Sequence, residues 1–284
     1  MKIIAILSLA MVLFAFSMTN TSINMQEAIN NGSIKVKIKS LGQYQGESVV
    51  MEIQNLSRHD LNIKVEPGRK LIADKEEFQD LLVVKQQEIL VKANSKTTRN
   101  IVGYCCESSD AGPKKDLAYK VNTMADSNLV KLANYINTNY SQLSSTSVQQ
   151  AIWAVSNNHG SAAISTLSEK EMSLKNLVCT IKNEPIPWYV IKQQIHQTPN
   201  GMIHLTNDSL YGKMAYTNGE WCYSKLNIYD TKDNAVLISI GNWLQPGSNT
   251  IYNVAIPIKN LGKGKYKLTL ENDKQVFTQK EILI

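Results

Sequence analysis

Arginine is nearly absent: Arg58, Arg69 and Arg99 are the only ones in 284 residues, and no two of them stand together. The formal charge of +6 therefore rests on lysines dispersed along the chain. Scattered lysines solvate a surface but form no phosphate-reading stripe, so nucleic acid is not an expected partner. Cysteine is scarce too. Cys105, Cys106, Cys179 and Cys222 are the only four, and no Cys-x-x-Cys spacing occurs, which argues against a structural zinc site. Beyond residue 17 no stretch is apolar enough to cross a bilayer as a helix, so no stable membrane span is expected.

What the chain does have begins with MKIIAILSLAMVLFAFS, a lysine followed by an apolar run and then Ala15-Phe16-Ser17. This is the order of a secretory signal, expected over residues 1–19, and the run is short for a transmembrane anchor. No cysteine stands near the cleavage point to carry a lipid. The remaining stretch of about 265 residues, enough for two or three domains, is expected in the periplasm, on the outer surface or in the medium. In such a compartment the four cysteines suit two disulfides. Three pairings are open, one of them a strained Cys105–Cys106 bridge.

An α+β, mostly β chain is expected. Residues 33–103 read as a β-sandwich: Ile34, Val36 and Ile38 alternate with lysines, Val49, Met51 and Ile53 repeat the pattern, and Leu61, Ile63 and Val65 follow the turn NLSRHD. After Pro67-Gly68, the runs LLVVK, EILVK and TTRNIVGY supply three more strands. Residues 113–126 read as a loop.

Residues 104–182 form the helical middle. Leu129, Leu132, Ala133 and Ile136 recur at helical spacing behind Asp126 or Ser127 as N-cap. Val148, Ala151, Ile152 and Val155 make a second helix, with Gly160 suited to a left-handed cap. Ser168-Glu169-Lys170-Glu171 opens a third as a capping box. Short connections imply antiparallel neighbours. From residue 186 to 284, about eight strand-like runs and the Asn200-Gly201 and Asn218-Gly219 hairpin signals fit an Ig-like β-sandwich.

Tyr104-Cys105 followed by Val148-Gln149-Gln150-Ala151-Ile152-Trp153 resembles the paired motifs of bacterial thioester domains, found on surface adhesins. The resemblance covers about 50 residues. It implies that Cys105 is the thiol and Gln149 the acyl donor of an internal thioester. The separation is short and Cys106 is an extra thiol. The chemistry is physically sound: thiolate attack on the carboxamide expels ammonia, and the acyl group that remains can be captured by a partner amine. The cysteine needs a lowered pKa or a base, and the bond needs exclusion of water. Trp153, one turn after Gln149, is placed to cover the amide, and Tyr104 is expected as a second shield beside the thiol.

Two other readings stand beside it. Thr146-Ser147-Val148-Gln149 is itself a capping box, which would leave Gln149 a helix-start residue, Trp153 ordinary core, and Cys105 or Cys106 free to pair with Cys179. A thiol hydrolase would use Cys105 or Cys106 as nucleophile, His159 as base and Asn157 or Asn158 to orient it. His196 and His204 are not read as directly cross-strand and have no evident third ligand, so neither a metal nor a cofactor is expected.

The tail, with KLNIYD, AVLISI, LQPG and GKYKLTL, resembles FlgD-like and type IX secretion sorting domains of Bacteroidetes, and so implies export to the outer membrane. The functional expectation is a secreted or surface binding and adhesion module that captures an amine-bearing ligand or an extracellular protein. The alternative is a non-catalytic structural or interaction protein of the envelope, held by disulfides only.

Overall fold

The computed structural model describes residues 22–198 and 201–284. The expected signal at 1–19 and Asn200 of the first hairpin signal lie outside the described residues. The chain is mostly β, with helices gathered in its middle, as its alternating runs lead one to expect.

The described chain opens with β1 (Ser22–Asn24) and α1 (Met25–Asn30), where a loose lead-in with at most one helical turn is expected. Then come β2 (Ile34–Ser40), β3 (Glu47–Asn55), β4 (Leu61–Val65), β5 (Arg69–Ala73), β6 (Leu81–Val83), β7 (Gln87–Val91), β8 (Lys96–Cys105) and β9 (Ala118–Met124). Six of these close on themselves in the order β2-β3-β8-β6-β5-β9, every neighbouring pair antiparallel. A three-stranded sheet, β1-β4-β7, lies beside the ring. The strand β9 corrects the loop expected over 113–126. Its sequence, AYKVNTM, alternates weakly because it buries only Tyr119 fully, yet it joins β5 to β2 and completes the barrel.

The strand β6 and the second half of β8, residues 101–105, are buried on both faces. Leu81, Val83, Ile101 and Cys105 belong to the barrel core, whereas Leu82, Val84, Val102, Tyr104 and Cys106 pack against the helices. Double burial explains the continuous apolar runs LLVV and IVGYCC where a half-exposed strand would alternate. Gly103 is required here by space: a Cβ on it would fall 2.8 Å from Ser48 Oγ.

Three helices cover this side: α2 (Ser127–Asn139), α3 (Ser145–Ser156) and α4 (Glu169–Lys182). Asp126 caps α2, its carboxylate accepting from the amides of Asn128 and Leu129. Ser168 caps α4 by accepting from Glu171 N at 3.1 Å. The other half of that box is not made, because the Glu171 side chain reaches α3 instead. At the end of α3 it is Asn158, at φ 56°, that takes the left-handed conformation expected of Gly160.

The C-terminal part is a β-sandwich of three strands on four. Its strands are β10 (Tyr189–Gln197), β11 (Ile203–Asn218), β12 (Cys222–Asp230), β13 (Val236–Leu244), β14 (Gly247–Pro257), β15 (Lys265–Glu271) and β16 (Val276–Leu283). The sheets run β10-β11-β14 and β13-β12-β15-β16 around Leu210, Met214, Leu226, Ile228, Val254 and Leu268. Residues 203–205 and 209–216, which read as separate strand-like runs, lie in the single strand β11. Asn218-Gly219 is not a hairpin. It carries the chain from one sheet to the other, since β11 pairs only with β10 and β14.

Candidate functional site

Cys105 ends β8 with its side chain turned into the barrel core, and it is fully buried. Its N–H donates to the Tyr44 carbonyl at 2.9 Å. Its own carbonyl accepts from Gln149 Nε2 at 2.7 Å, across 44 positions of sequence. Gln149 is likewise fully buried, and its Oε1 has no hydrogen-bond partner among the described residues. The two residues that the motifs singled out are therefore brought into direct contact.

The helix start decides what Gln149 is free to do. The N-cap of α3 is Ser144, which accepts from Ser147 N, so the box expected at Thr146–Gln149 does not form. Glu171 of α4 fixes this end by accepting from Ser144 Oγ at 2.7 Å and Ser147 Oγ at 2.9 Å. Burial by itself would raise the Glu171 carboxyl, but the hydroxyls of Ser144, Ser165 and Ser147 hold it below the usual range. With the cap two residues further upstream, Gln149 sits in the helix body and faces Cys105.

Trp153, one turn on, is also fully buried and joins the barrel cluster that contains Cys105. Two rings contact its indole. Tyr44 stacks on it at 6.5 Å and 11°, and His159 leans on it at 5.9 Å and 46°. Tyr104 is not a shield. Successive strand residues point to opposite faces, so Tyr104 enters the helical cluster, where its hydroxyl donates to Ser145 Oγ at 3.2 Å. The ring beside Cys105 is Tyr44, which the sequence reading passes over. Its one signal is an aromatic bracketed by glycines, Gly42-Gln43-Tyr44-Gln45-Gly46, in the connection between β2 and β3.

The surroundings keep the thiols protonated, so the lowered thiol pKa that would assist attack on the carboxamide is not what this site provides. Burial pushes Cys105 well above its ordinary value, and the charges of Cys106 and Glu107 add to this. Burial pushes Cys106 up to about 12, with Lys70 opposing. A buried thiolate is costly, but a thioester carries no charge, so the apolar site favours the closed bond over its ionised precursor. Among the described residues both amide atoms of Gln150 and the Trp153 Nε1, on the same helix as Gln149, also lack partners, as do atoms of Gln193, Asn227 and Thr269 in the C-terminal sandwich. Such orphans are uncommon in folded proteins.

All four thiols are free, which corrects the expected disulfides. Cys105 and Cys106 do not bridge: at the end of β8 Cys105 turns into the barrel core, and Cys106, the next residue, packs with the helices. Cys179, on α4, donates to Ser161 Oγ at 3.3 Å. Cys222 lies on β12 in the C-terminal sandwich, where Asn218 Nδ2 approaches it at 3.4 Å.

The thiol-hydrolase constellation is not assembled either. His159 Nε2 pairs with Ser108 Oγ at 2.8 Å, and Asn157 Oδ1 accepts from Ser108 N at 3.0 Å, so histidine and asparagine converge on a serine. Asn158 serves the backbone turn. His196 and His204 turn out to be direct cross-strand partners on β10 and β11. No group of three or more potential ligands gathers around them or elsewhere among the described residues. Within the same residues no helix is long and apolar enough to cross a membrane.

No protein-family model matches the chain, and no curated protein is detectably similar to it.

Proposed function

We propose that this chain is an exported binding and adhesion module that captures a primary amine through an internal thioester between Cys105 and Gln149. One observation carries the reading: Gln149 Nε2 bonds to the Cys105 carbonyl at 2.7 Å in a fully buried site, with Gln149 Oε1 left unpartnered. In the closing step Cys105 Sγ bonds to the Gln149 amide carbon and the C–N bond breaks. The thiol proton leaves with the nitrogen as ammonia. In the capture step a partner amine attacks the same carbon, the S–C bond breaks, and the amine proton returns to Sγ. The acceptor class is an amine-bearing surface or extracellular protein.

Trp153, fully buried in the cluster that holds Cys105, supports the exclusion of water that such a bond needs, and Tyr44 stacks on its indole. The apolar leader and the sorting-like tail support export, on which the encounter with an external partner depends.

Intact mass of the mature chain, without reductant, tests the reading. A mass short of one ammonia, and raised by one methylamine on treatment, is the expected result, with Gln149→Ala and Cys105→Ala both abolishing it. A full mass unmoved by methylamine overturns the covalent reading and leaves an interaction protein without chemistry of its own.

A further inference from the structure

Cys105, Gln149 and Trp153 have no exposed surface, so an amine reaches the reactive carbon only if part of the cover moves. The two rings in contact with the Trp153 indole are held very differently. His159 is pinned: Nε2 pairs with Ser108 Oγ at 2.8 Å, its backbone carbonyl accepts from Lys182 Nζ at 2.5 Å, and its N–H reaches the Trp153 carbonyl at 3.3 Å. Tyr44 is half-buried, and its hydroxyl has no hydrogen-bond partner among the described residues. Stacking on Trp153 and packing against the edge of the barrel cluster retain the ring.

The Tyr44 backbone, by contrast, is fixed. Its carbonyl accepts from Cys105 N at 2.9 Å, and two residues on the Gly46 carbonyl accepts from Gly103 N at 2.9 Å. Gly42 and Gly46, at φ 85° and 78°, shape the connection so that it turns Tyr44 over the end of β8. The movable part is therefore a side chain on a rigid mount. Burial, and secondarily Cys105, hold the Tyr44 hydroxyl above its ordinary value, so the ring is neutral.

We propose that the Tyr44 ring is the gate through which a primary amine reaches the Cys105–Gln149 bond, and that its rotation sets both the rate of capture and the bulk of the amine admitted. This rests on the thioester reading. A slender amine on a long chain, such as a lysine side chain, passes a rotated ring more readily than a branched or bulky amine. Because the backbone stays in place, the passage opens without releasing the Cys105 amide.

The test compares the mature chain with Tyr44→Ala, Tyr44→Phe and Tyr44→Trp. Each is followed by intact mass for loss of the ammonia deficit to water, to methylamine and to a lysine-containing peptide. Tyr44→Ala is expected to keep the deficit but lose it at least about tenfold faster to all three, with less discrimination between methylamine and the peptide. Tyr44→Phe keeps the ring and matches the parent; Tyr44→Trp slows capture. Parental rates in both Tyr44→Ala and Tyr44→Trp overturn the gate while leaving the thioester intact. If Tyr44→Ala does not fold, Tyr44→Trp decides alone: slower capture upholds the gate and an unchanged rate removes it. Absence of the deficit in the parent chain removes gate and thioester together.

Discussion

Opening the Cys105–Gln149 bond with methylamine should destabilise the N-terminal unit by about 4 kcal/mol. The bond would join residues 44 positions apart. Cross-linking a loop of that length removes about 13 cal/mol/K of entropy from the unfolded chain on the loop-closure relation used for disulfides, or about 4 kcal/mol at 25 °C. The relation depends on loop length and not on the chemistry of the link, so it transfers to a thioester. Methylamine frees the Cys105 thiol and leaves an N-methyl amide on Gln149, a smaller change to the site than substitution of either residue. The described helices all lie before residue 183, so the far-UV helical signal reports this unit without interference from the C-terminal sandwich. With a urea slope of about 2 kcal/mol/M, the treated chain should unfold at a midpoint lower by about 2 M. Coincident urea curves for treated and untreated chains would refute the reasoning, because a cross-link across that loop cannot be thermodynamically silent.

Other expectations follow from the packing and charge. Trp153→Ala removes the largest fully buried side chain and should cost about 3–5 kcal/mol by thermal unfolding, with faster loss of any ammonia deficit to water. Gly68→Ala should cost about 1–3 kcal/mol: Gly68 sits at φ 90°, and a Cβ there meets Met124 Cε and Val130 Cγ2 at 3.0 Å. Lys175 is buried where α4 meets the C-terminal sandwich, its ammonium donating to the Tyr189 carbonyl at 2.8 Å, and burial lowers its pKa to about 8 while Cys179 opposes. Between about pH 8 and the unfolded value of 10.5 the unfolded chain holds a proton that the folded lysine has lost, so stability should rise with pH across that window. Lys175→Met should flatten the rise; urea midpoints at pH 7.5 and 10 for both chains check it.

The mostly β class, the strands at Ile34–Ser40 and Glu47–Asn55 and the three middle helices were legible because each buries one face, and a single buried face leaves a period in the sequence. Cys105 and Gln149 were legible as a pair of motifs. Barrel closure was not, because β9 buries so little that its alternation is faint, and its partners β2 and β5 are fixed by long-range pairing. Local sequence also misplaced the start of α3. Two serine-rich cap frames overlap at residues 144–149, and a distant carboxylate, Glu171, selects the upstream one.

By itself the sequence determined composition, periodicity and the chemical types available: a rare thiol, a carboxamide and an indole one helical turn apart. Only the tertiary structure decided which aromatic ring stands by the thiol. Tyr104 is the covalent neighbour of Cys105, yet strand geometry turns it to the opposite face, while Tyr44 arrives from another connection to stack on Trp153. It also separated the cysteines, by placing Cys105 in the barrel core, Cys106 in the helical cluster, Cys179 on α4 and Cys222 on β12. Neighbourhood in sequence fixes which face a side chain takes; neighbourhood in space is set by what packs against that face.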